Sequence, residues 1–221
     1  MNKVRQLAHY LPEPAAPVIA RWIDLYQVQL RITRSRQTKL GDYRPPQQGY
    51  PHRISINHDL NPYAFLVTLV HEFAHLVTWN HHGSKALSHG KEWKGYFRKM
   101  MQPFFELDVF PADIRIALER YLRNPAAASC TDLNLLRTLR KYDPGRPDKV
   151  AVEQLPEGAV FALPAGRGRA SSSQPATAGA RVFRKGPRLR KRFRCTELAS
   201  GRAYLFNPLA EVIHLPAGTV S

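Results

Sequence analysis

The residues with the clearest chemical potential are His71, Glu72 and His75, which form the pattern H-E-x-x-H. On a helix, positions i and i+4 lie on one face, so the imidazoles of His71 and His75 can reach one metal ion. Two imidazoles suit Zn²⁺, and a site with three protein ligands leaves a fourth position for water. Glu72 can take a proton from that water as a general base. The pattern therefore predicts a zinc site that hydrolyses amide bonds.

An H-E-x-x-H match can also arise by chance, and the flanking residues help to decide between the two interpretations. Residues 66–77 are apolar almost all round the helix, which is typical of a buried helix. The polar side chains fall along one stripe, formed by Thr68, His71, Glu72, His75 and Thr78. Because a buried Glu72 beside two histidines needs a metal ion or a dense hydrogen-bond network, we expect the metal site.

A catalytic zinc site needs a third protein ligand, and three downstream residues are candidates. His81 has the spacing of the H-E-x-x-H-x-x-G-x-x-H pattern, but Thr78 stands where that pattern has a glycine to turn the chain. Glu92 could bind as a carboxylate from the next helix. His89 opens that helix, and a loop over residues 83–88 could fold it back over the motif helix. Spacing alone favours His89 only modestly.

Hydrophobic periodicity places the motif in a mixed α+β domain. A helix over residues 13–27 precedes two alternating strands, over residues 28–32 and 53–57. Asn61, as the N-cap, and Pro62, at the first helical position, begin the motif helix. Gly, Asp and Pro in residues 40–46 predict a break between the strands. Further helices are predicted from residue 90, over residues 112–122 and over residues 133–142.

Beyond residue 147 the pattern changes to short strands, predicted over residues 150–152, 159–163, 180–183, 189–196, 203–206 and 212–215. The Gly-, Ser- and Pro-containing stretch between the second and third of these strands is typical of a flexible insertion. We therefore predict a domain over residues 1–125, a helical connector over residues 126–148, and a β module over residues 149–221 with a flexible insertion at residues 164–180.

Two segments together resemble the SprT-like family, which includes the Spartan metalloproteases. They are His71-Glu72-Phe73-Ala74-His75 and His89-Gly90-Lys91-Glu92-Trp93. The family pairs H-E-x-x-H with a downstream H-G-x-E-[WF] segment, and the resemblance covers residues 15–123. It implies a zincin-like domain with one catalytic Zn²⁺ bound by His71, His75 and His89, and Glu72 as the general base. It also implies an endopeptidase that acts on DNA-associated or DNA-crosslinked proteins.

The chain departs from the family in its C-terminal module. Many bacterial members end in a four-cysteine zinc ribbon, whereas the corresponding region here, residues 192–207, keeps only Cys195. We therefore expect a β module that resembles a ribbon but packs through apolar residues without a second zinc ion. The other cysteine, Cys130, is far away in the sequence, so no disulfide framework is predicted and a reducing cytoplasm is the expected location.

The net charge of +16 and the isoelectric point near 10.3 indicate a polyanionic partner, nucleic acid first and an anionic membrane surface second. Residues 181–194 include no acidic residue. If residues 189–196 form one strand, a single face presents a row of phosphate-binding arginines, namely Arg188, Arg190, Arg192 and Arg194. The alternative is an edge strand charged to prevent aggregation. No base-reading motif is present, so we expect DNA binding directed at the backbone.

Two functions are therefore compatible with the sequence. The first is a cytoplasmic zinc endopeptidase that acts on a protein substrate and is held on DNA by its basic module. The second is a nucleic-acid-binding protein whose zinc site is structural or vestigial and which does not cleave proteins. No secretory leader and no membrane-spanning run is present, so we expect no membrane partner.

Overall fold

The computed structural model describes residues 2–36, 39–125, 132–144, 149–163 and 180–216. The chain divides into two compact units, Met1–Pro144 and Gly145–Ser221. The first unit mixes helices with a small sheet, and the second is built on a β-sheet, so the predicted α+β class is confirmed. The predicted insertion at residues 164–180 lies, except for Ala180, outside the described residues.

Apart from α1, which the sequence analysis does not predict, the helices of the first unit follow the predicted order. In its described part they are α1 (Lys3–Leu7), α2 (Ala16–Leu25), α3 (Pro62–His82), α4 (Lys91–Glu106), α5 (Ala112–Arg123) and α6 (Leu133–Arg140). Helix α6 packs against α5, so this part of the predicted connector lies within the first unit. Among the described residues, no helix combines the length and the apolar character needed to cross a membrane.

Helix α3 is the motif helix, and it begins as the sequence predicts. The side chain of Asn61 accepts hydrogen bonds from the backbone N–H groups of Tyr63 and Ala64, and Pro62 occupies the first helical turn. Most of α3 is buried, including Phe65, Leu69 and Phe73, which form part of the core of the first unit. A helix buried on nearly all sides holds its side chains in fixed positions.

The sheet of the first unit has the strand order β1-β3-β2 and consists of β1 (Gln29–Thr33), β2 (Gly41–Arg44) and β3 (Arg53–Asn57). Strand β1 is parallel to β3, and β2 is antiparallel to β3. The inner face of the sheet buries Ile54 and Ile56 in the same core as α3. The sheet therefore packs against the helix that carries H-E-x-x-H.

Strand β2 corrects the sequence-based prediction, which placed a break at residues 40–46. Tyr43 lies opposite Ile54 of β3, and Asp42 lies opposite Ser55. Gly and Asp are poor strand formers, so the strand forms through its pairing with β3 and its packing on α3 rather than through local preference. Strand β2 lies at the edge of the sheet, and within the described part of the chain only the side facing β3 is paired.

The second unit contains one antiparallel sheet with the order β4-β9-β5-β6-β7-β8. Its described strands are β4 (Val150–Ala151), β5 (Val160–Ala162), β6 (Val182–Leu189), β7 (Arg192–Glu197), β8 (Ala203–Phe206) and β9 (Glu211–Leu215). Its core includes Phe161, Phe183 and the free thiol of Cys195. Cys130 lies outside the described residues.

The prediction of one strand over residues 189–196 is wrong, because this stretch contains a hairpin. Strand β6 ends at Leu189 and β7 begins at Arg192. Arg190 takes a positive φ of 49° in the connecting turn. Hairpin turns of two residues usually carry Gly, Asn or Asp, and the pair Arg190-Lys191 gives no such signal.

Candidate metal centre

Three histidine side chains converge at the surface of α3. His71 and His75 come from neighbouring turns of that helix, and His89 comes from the loop that precedes α4. The Nε2 atoms of His71 and His75 are 3.2 Å apart, those of His75 and His89 are 2.9 Å apart, and those of His71 and His89 are 3.1 Å apart. The three nitrogens therefore form a nearly equilateral triangle.

Hydrogen bonding alone does not account for this triangle. Each imidazole Nε2 has a single in-plane position for a proton or a lone pair, so the three atoms cannot all bond to one another. Around a four-coordinate ion with Zn–N bonds of about 2.0–2.1 Å, the ligand nitrogens lie roughly 3.3 Å apart. The observed spacings are close to this value, and a set of imidazole donors suits a Zn²⁺-type ion. The residues present fit a bound metal ion.

The protonation states of the histidines also suit a metal ion. Burial, followed by the proximity of the other imidazoles, lowers the pKa of His71 to about 3 and that of His75 to about 4. Burial also lowers the pKa of His89. The three rings are therefore neutral near pH 7, so a metal ion does not have to displace protons from them.

The turn that presents His89 depends on an unusual backbone conformation. His89 has a φ of 61°, which lies in the left-handed region. The backbone N–H of Gly90 donates to the carbonyl of Leu87 at 2.9 Å and closes the turn. A Cβ atom at Gly90 would lie 3.0 Å from that carbonyl oxygen and 3.3 Å from Oε2 of Glu92. The glycine after His89 therefore allows the tight turn.

Glu72 is buried beneath the edge strand β2. The backbone N–H of Tyr43 donates a hydrogen bond to its carboxyl group. A Cβ atom at Gly41 would overlap Oε1 of Glu72 and would lie 2.8 Å from Cγ2 of Thr68, so a larger residue here would displace the Glu72 carboxyl group. The missed strand β2 therefore positions the predicted general base.

Burial, and then the nearby charge of Asp42, raises the pKa of Glu72 to about 8. The positive charges of Arg36 and Lys39 and the hydrogen bond from Tyr43 act in the opposite direction. A cation bound by the three histidines would favour the carboxylate form of Glu72. The carboxyl group can therefore hold a proton or release it near neutral pH.

Trp93 forms the wall behind the three histidines. Its ring centroid lies 4.6 Å from that of His71, 5.4 Å from that of His75 and 4.7 Å from that of His89. The side chain is fully buried, and its Nε1 has no hydrogen-bond partner among the described residues. The sequence predicts a helix from residue 90 but not this contact, and the structure places the ring of Trp93 against all three imidazoles.

The histidines and Glu72 line a cleft of about 480 Å³. Gly41, Asp42 and Tyr43 of β2 contribute to its lining, as do Trp79 and Leu87. Leu87 is 78% exposed and offers an apolar contact for a bound molecule. The candidate centre therefore has room beside it for a large ligand.

The other two candidate ligands lie outside the histidine cluster. His81 is exposed, and its ring stacks on Tyr96 with the centroids 5.3 Å apart. The carboxylate of Glu92 lies 3.8 Å from the ammonium group of Lys91. The structure thus brings His89 to His71 and His75, and it does not bring His81 or Glu92 into that cluster.

The predicted arginine row takes a different form in the second unit. Arg192 and Arg194 lie on the solvent face of β7, whereas Arg188 pairs with Phe193 and so lies on the opposite face. Arg190 occupies the turn. All four side chains are exposed, but the prediction that they share one strand face is wrong. Together with Arg184 and Lys191 they lie in the segment over residues 184–194, which we call the basic hairpin.

The fold and the site define an α+β domain with a three-histidine candidate metal centre on an H-E-x-x-H helix. The sequence profile of the SprT-like family matches residues 20–115, a range that contains all three histidines and Glu72. Residues 20–115, within the first unit, therefore form a SprT-like domain, which confirms the resemblance seen in the motifs. No curated protein and no solved structure matches the chain.

Proposed function

We propose that this protein is a zinc-dependent endopeptidase with a zincin-like SprT domain, and that it acts on DNA-associated or DNA-crosslinked proteins. The observation that carries the proposal is the triangle of three neutral histidine nitrogens, next to the buried Glu72 and open to a cleft. When bound, Zn²⁺ would acidify a water molecule and polarise the substrate carbonyl. His71, His75 and His89 would hold the ion.

Glu72 is the proton acceptor in this proposal. It receives the proton of the attacking water and passes it to the nitrogen that leaves when the peptide bond breaks. A pKa near neutrality suits a group that must both accept and donate a proton, and burial at this site raises the pKa of Glu72 to about 8. The backbone N–H of Tyr43 keeps the carboxyl group in place between these steps.

The position of the edge strand β2 favours a peptide as the substrate. Its residues line the cleft, and β3 pairs with only one of its sides. An extended peptide can add to the open side of an edge strand through backbone hydrogen bonds. Recognition through the backbone tolerates many sequences, which suits an enzyme that meets varied protein substrates.

The basic hairpin supports the proposal that the protein binds DNA and meets its protein substrates there. Arg188, Arg190, Arg192 and Arg194 are exposed there, and arginine suits phosphate contacts. Arg192 and Arg194 project from the same face of β7. We propose that these side chains contact the DNA backbone without reading its sequence.

The test is cleavage of a DNA-binding protein by the zinc-loaded full chain, with and without DNA and with and without a chelator. The proposal predicts cleavage that stops with the chelator, returns when Zn²⁺ is restored and increases with DNA. Cleavage that persists without the metal would contradict it. Stoichiometric zinc and salt-dependent DNA binding without cleavage under any of these conditions would favour the binding-protein alternative.

A further inference from the structure

The outer face of the three-stranded sheet, which lies away from α3, is polar. Side chains alternate along a strand, so the residues opposite the buried Ile54 and Ile56 point outwards. The register places Arg31 beside Ser55 and Arg44 beside Arg53. These strands therefore present basic residues on the side opposite the metal centre.

A hollow of about 480 Å³ lies on this outer face. Four arginines line it, and we call them the arginine face: Arg31, Arg36, Arg44 and Arg53. Asp42 is the acidic residue among the lining residues that the structure describes. Cationic side chains gathered around a concave surface raise the local concentration of anions.

The positive charge of the arginine face is only partly balanced. Asp42 is engaged by Lys39 at 2.7 Å and by Arg44 at 3.1 Å. Within the described ranges, no carboxylate lies within ion-pair distance of Arg31, Arg36 or Arg53. Three guanidinium groups of the arginine face therefore have no ion-pair partner among the described residues.

Two of these groups are held in place by neutral neighbours. Arg36 donates to Oδ1 of Asn57 at 2.8 Å and to Oγ of Ser55 at 3.0 Å. The guanidinium of Arg53 lies over the ring of Tyr50, 4.8 Å from its centroid, and the buried Nε of Arg53 has no hydrogen-bond partner among the described residues. Groups that are ordered before binding lose less conformational entropy when an anion binds.

Tyr50 indicates which polyanion fits. It lines the hollow and is 57% exposed, so an aromatic ring lies among the arginines. Aromatic rings between cationic side chains are typical of surfaces that bind single-stranded nucleic acid, where the rings stack on bases and the cations contact phosphates. An anionic membrane would instead favour exposed aliphatic side chains, whereas the other lining residues are mainly polar.

We propose that the arginine face binds the phosphate backbone of a nucleic acid strand, as a second binding surface besides the basic hairpin. This inference rests on the nucleic-acid part of the proposed function and does not require proteolysis. Asp42 of β2 lines both this hollow and the metal cleft. A strand bound here would therefore lie one β-strand away from the site where a substrate is cleaved.

The test is binding of a labelled single-stranded oligonucleotide to the full chain carrying Arg31→Gln and Arg44→Gln, measured at several salt concentrations. Both side chains are exposed, so the fold should tolerate the changes. Loss of two phosphate contacts should reduce the slope of log K against log salt by about 1.4 and weaken binding roughly tenfold or more near 0.1 M salt. Tyr50→Ala should weaken binding without changing that slope.

The matched control carries Arg21→Gln and Arg120→Gln, which remove the same charge from exposed positions on α2 and α5. It should bind like the unaltered protein. Equal affinities and slopes for the two double variants would overturn the inference, and so would binding to anionic vesicles but not to the oligonucleotide. Chelator-sensitive cleavage of a DNA-free unfolded protein, measured on the same samples, reports separately on the protease proposal.

Discussion

At the scale of single residues, His89 shows that spacing along the sequence does not suffice to identify the third candidate ligand. Its distance from His75 along the chain does not fix its position in space, because the loop between them sets that position. The left-handed backbone of His89 and the turn closed by Gly90 bring the imidazole to α3. A non-glycine residue in this conformation costs about 1–3 kcal/mol, which the surrounding contacts must offset. The motif resemblance singles out His89 as the third candidate ligand, whereas local physical rules favour it only modestly.

Replacement of His89 tests the ligand set directly. His89→Ala should abolish stoichiometric zinc because two imidazoles alone form an incomplete site. His81→Ala is the matched control, since His81 lies outside the cluster, and it should keep one zinc ion per chain. Metal analysis after gel filtration gives both results. If His81→Ala loses zinc and His89→Ala keeps it, the ligand set is wrong.

Gly41 provides a prediction that concerns only the position of Glu72. In Gly41→Ala, the new Cβ would overlap Oε1 of Glu72, so the carboxyl group must move away from Tyr43. We expect kcat to fall by about tenfold or more while zinc remains bound, because misplacement of a general base removes part of its contribution.

Gly95→Ala serves as the control for this change, since a Cβ there meets nothing within 4 Å. Alanine in a helix should leave kcat unchanged and slightly stabilise α4. Steady-state cleavage of a peptide substrate measures both variants. A fully active Gly41→Ala enzyme would show that the contact between β2 and Glu72 does not matter for catalysis.

At the scale of elements, the sequence predicts helices better than it predicts the sheet edges. Helix α3 carries its own signals: the Asn61 cap, Pro62 and an apolar pattern. Strand β2 has no such pattern, because its pairing with β3 and its packing on α3 determine it. The sequence likewise gives no signal for the hairpin turn at Arg190, since the positive φ occurs there without glycine or asparagine. The sequence therefore predicts the H-E-x-x-H motif itself, but it does not predict the parts of the site that neighbouring elements supply.

Asn61 connects the start of α3 to the end of α6. Besides capping α3, it donates to the carbonyl of Leu139 at 2.9 Å and to Oδ1 of Asp143 at 2.6 Å. Asn61→Ala removes the cap and leaves the Leu139 carbonyl without this bond, so the free energy of unfolding should fall by about 2–4 kcal/mol. Urea unfolding measures the change. An alanine variant within about 0.5 kcal/mol of the unaltered protein would contradict the role of this residue.

At the scale of the whole molecule, the two units carry different parts of the proposed function. The candidate metal centre and the arginine face belong to the first unit, and the basic hairpin belongs to the second. The net charge of +16 predicted a polyanionic partner, but it did not show where the charges gather. The residues on the outer face of a sheet can be identified only when the strand register is known, and the sequence predicts a break rather than a strand at residues 40–46.

Metal removal should affect the first unit selectively. Trp22, Trp79 and Trp93 all lie in that unit, so tryptophan fluorescence follows its unfolding. A metal ion that binds only the folded state stabilises it by about 4 kcal/mol at a free concentration 1,000 times the Kd. Addition of a chelator should therefore lower the fluorescence-detected Tm in the unaltered protein and leave it unchanged in His71→Ala. An equal response of the two proteins would show that the chelator does not act through this centre.

The central claim is that three histidines hold a metal ion and that Glu72 acts as the general base toward the attacking water. The most direct test of this claim measures both zinc content and cleavage in Glu72→Gln. The amide has nearly the shape of the carboxyl group but cannot accept the proton of the attacking water. We predict one zinc ion per chain, as in the unaltered protein, and a loss of cleavage of about 10²–10⁴-fold. Cleavage at an undiminished rate by the zinc-loaded variant would contradict the claim.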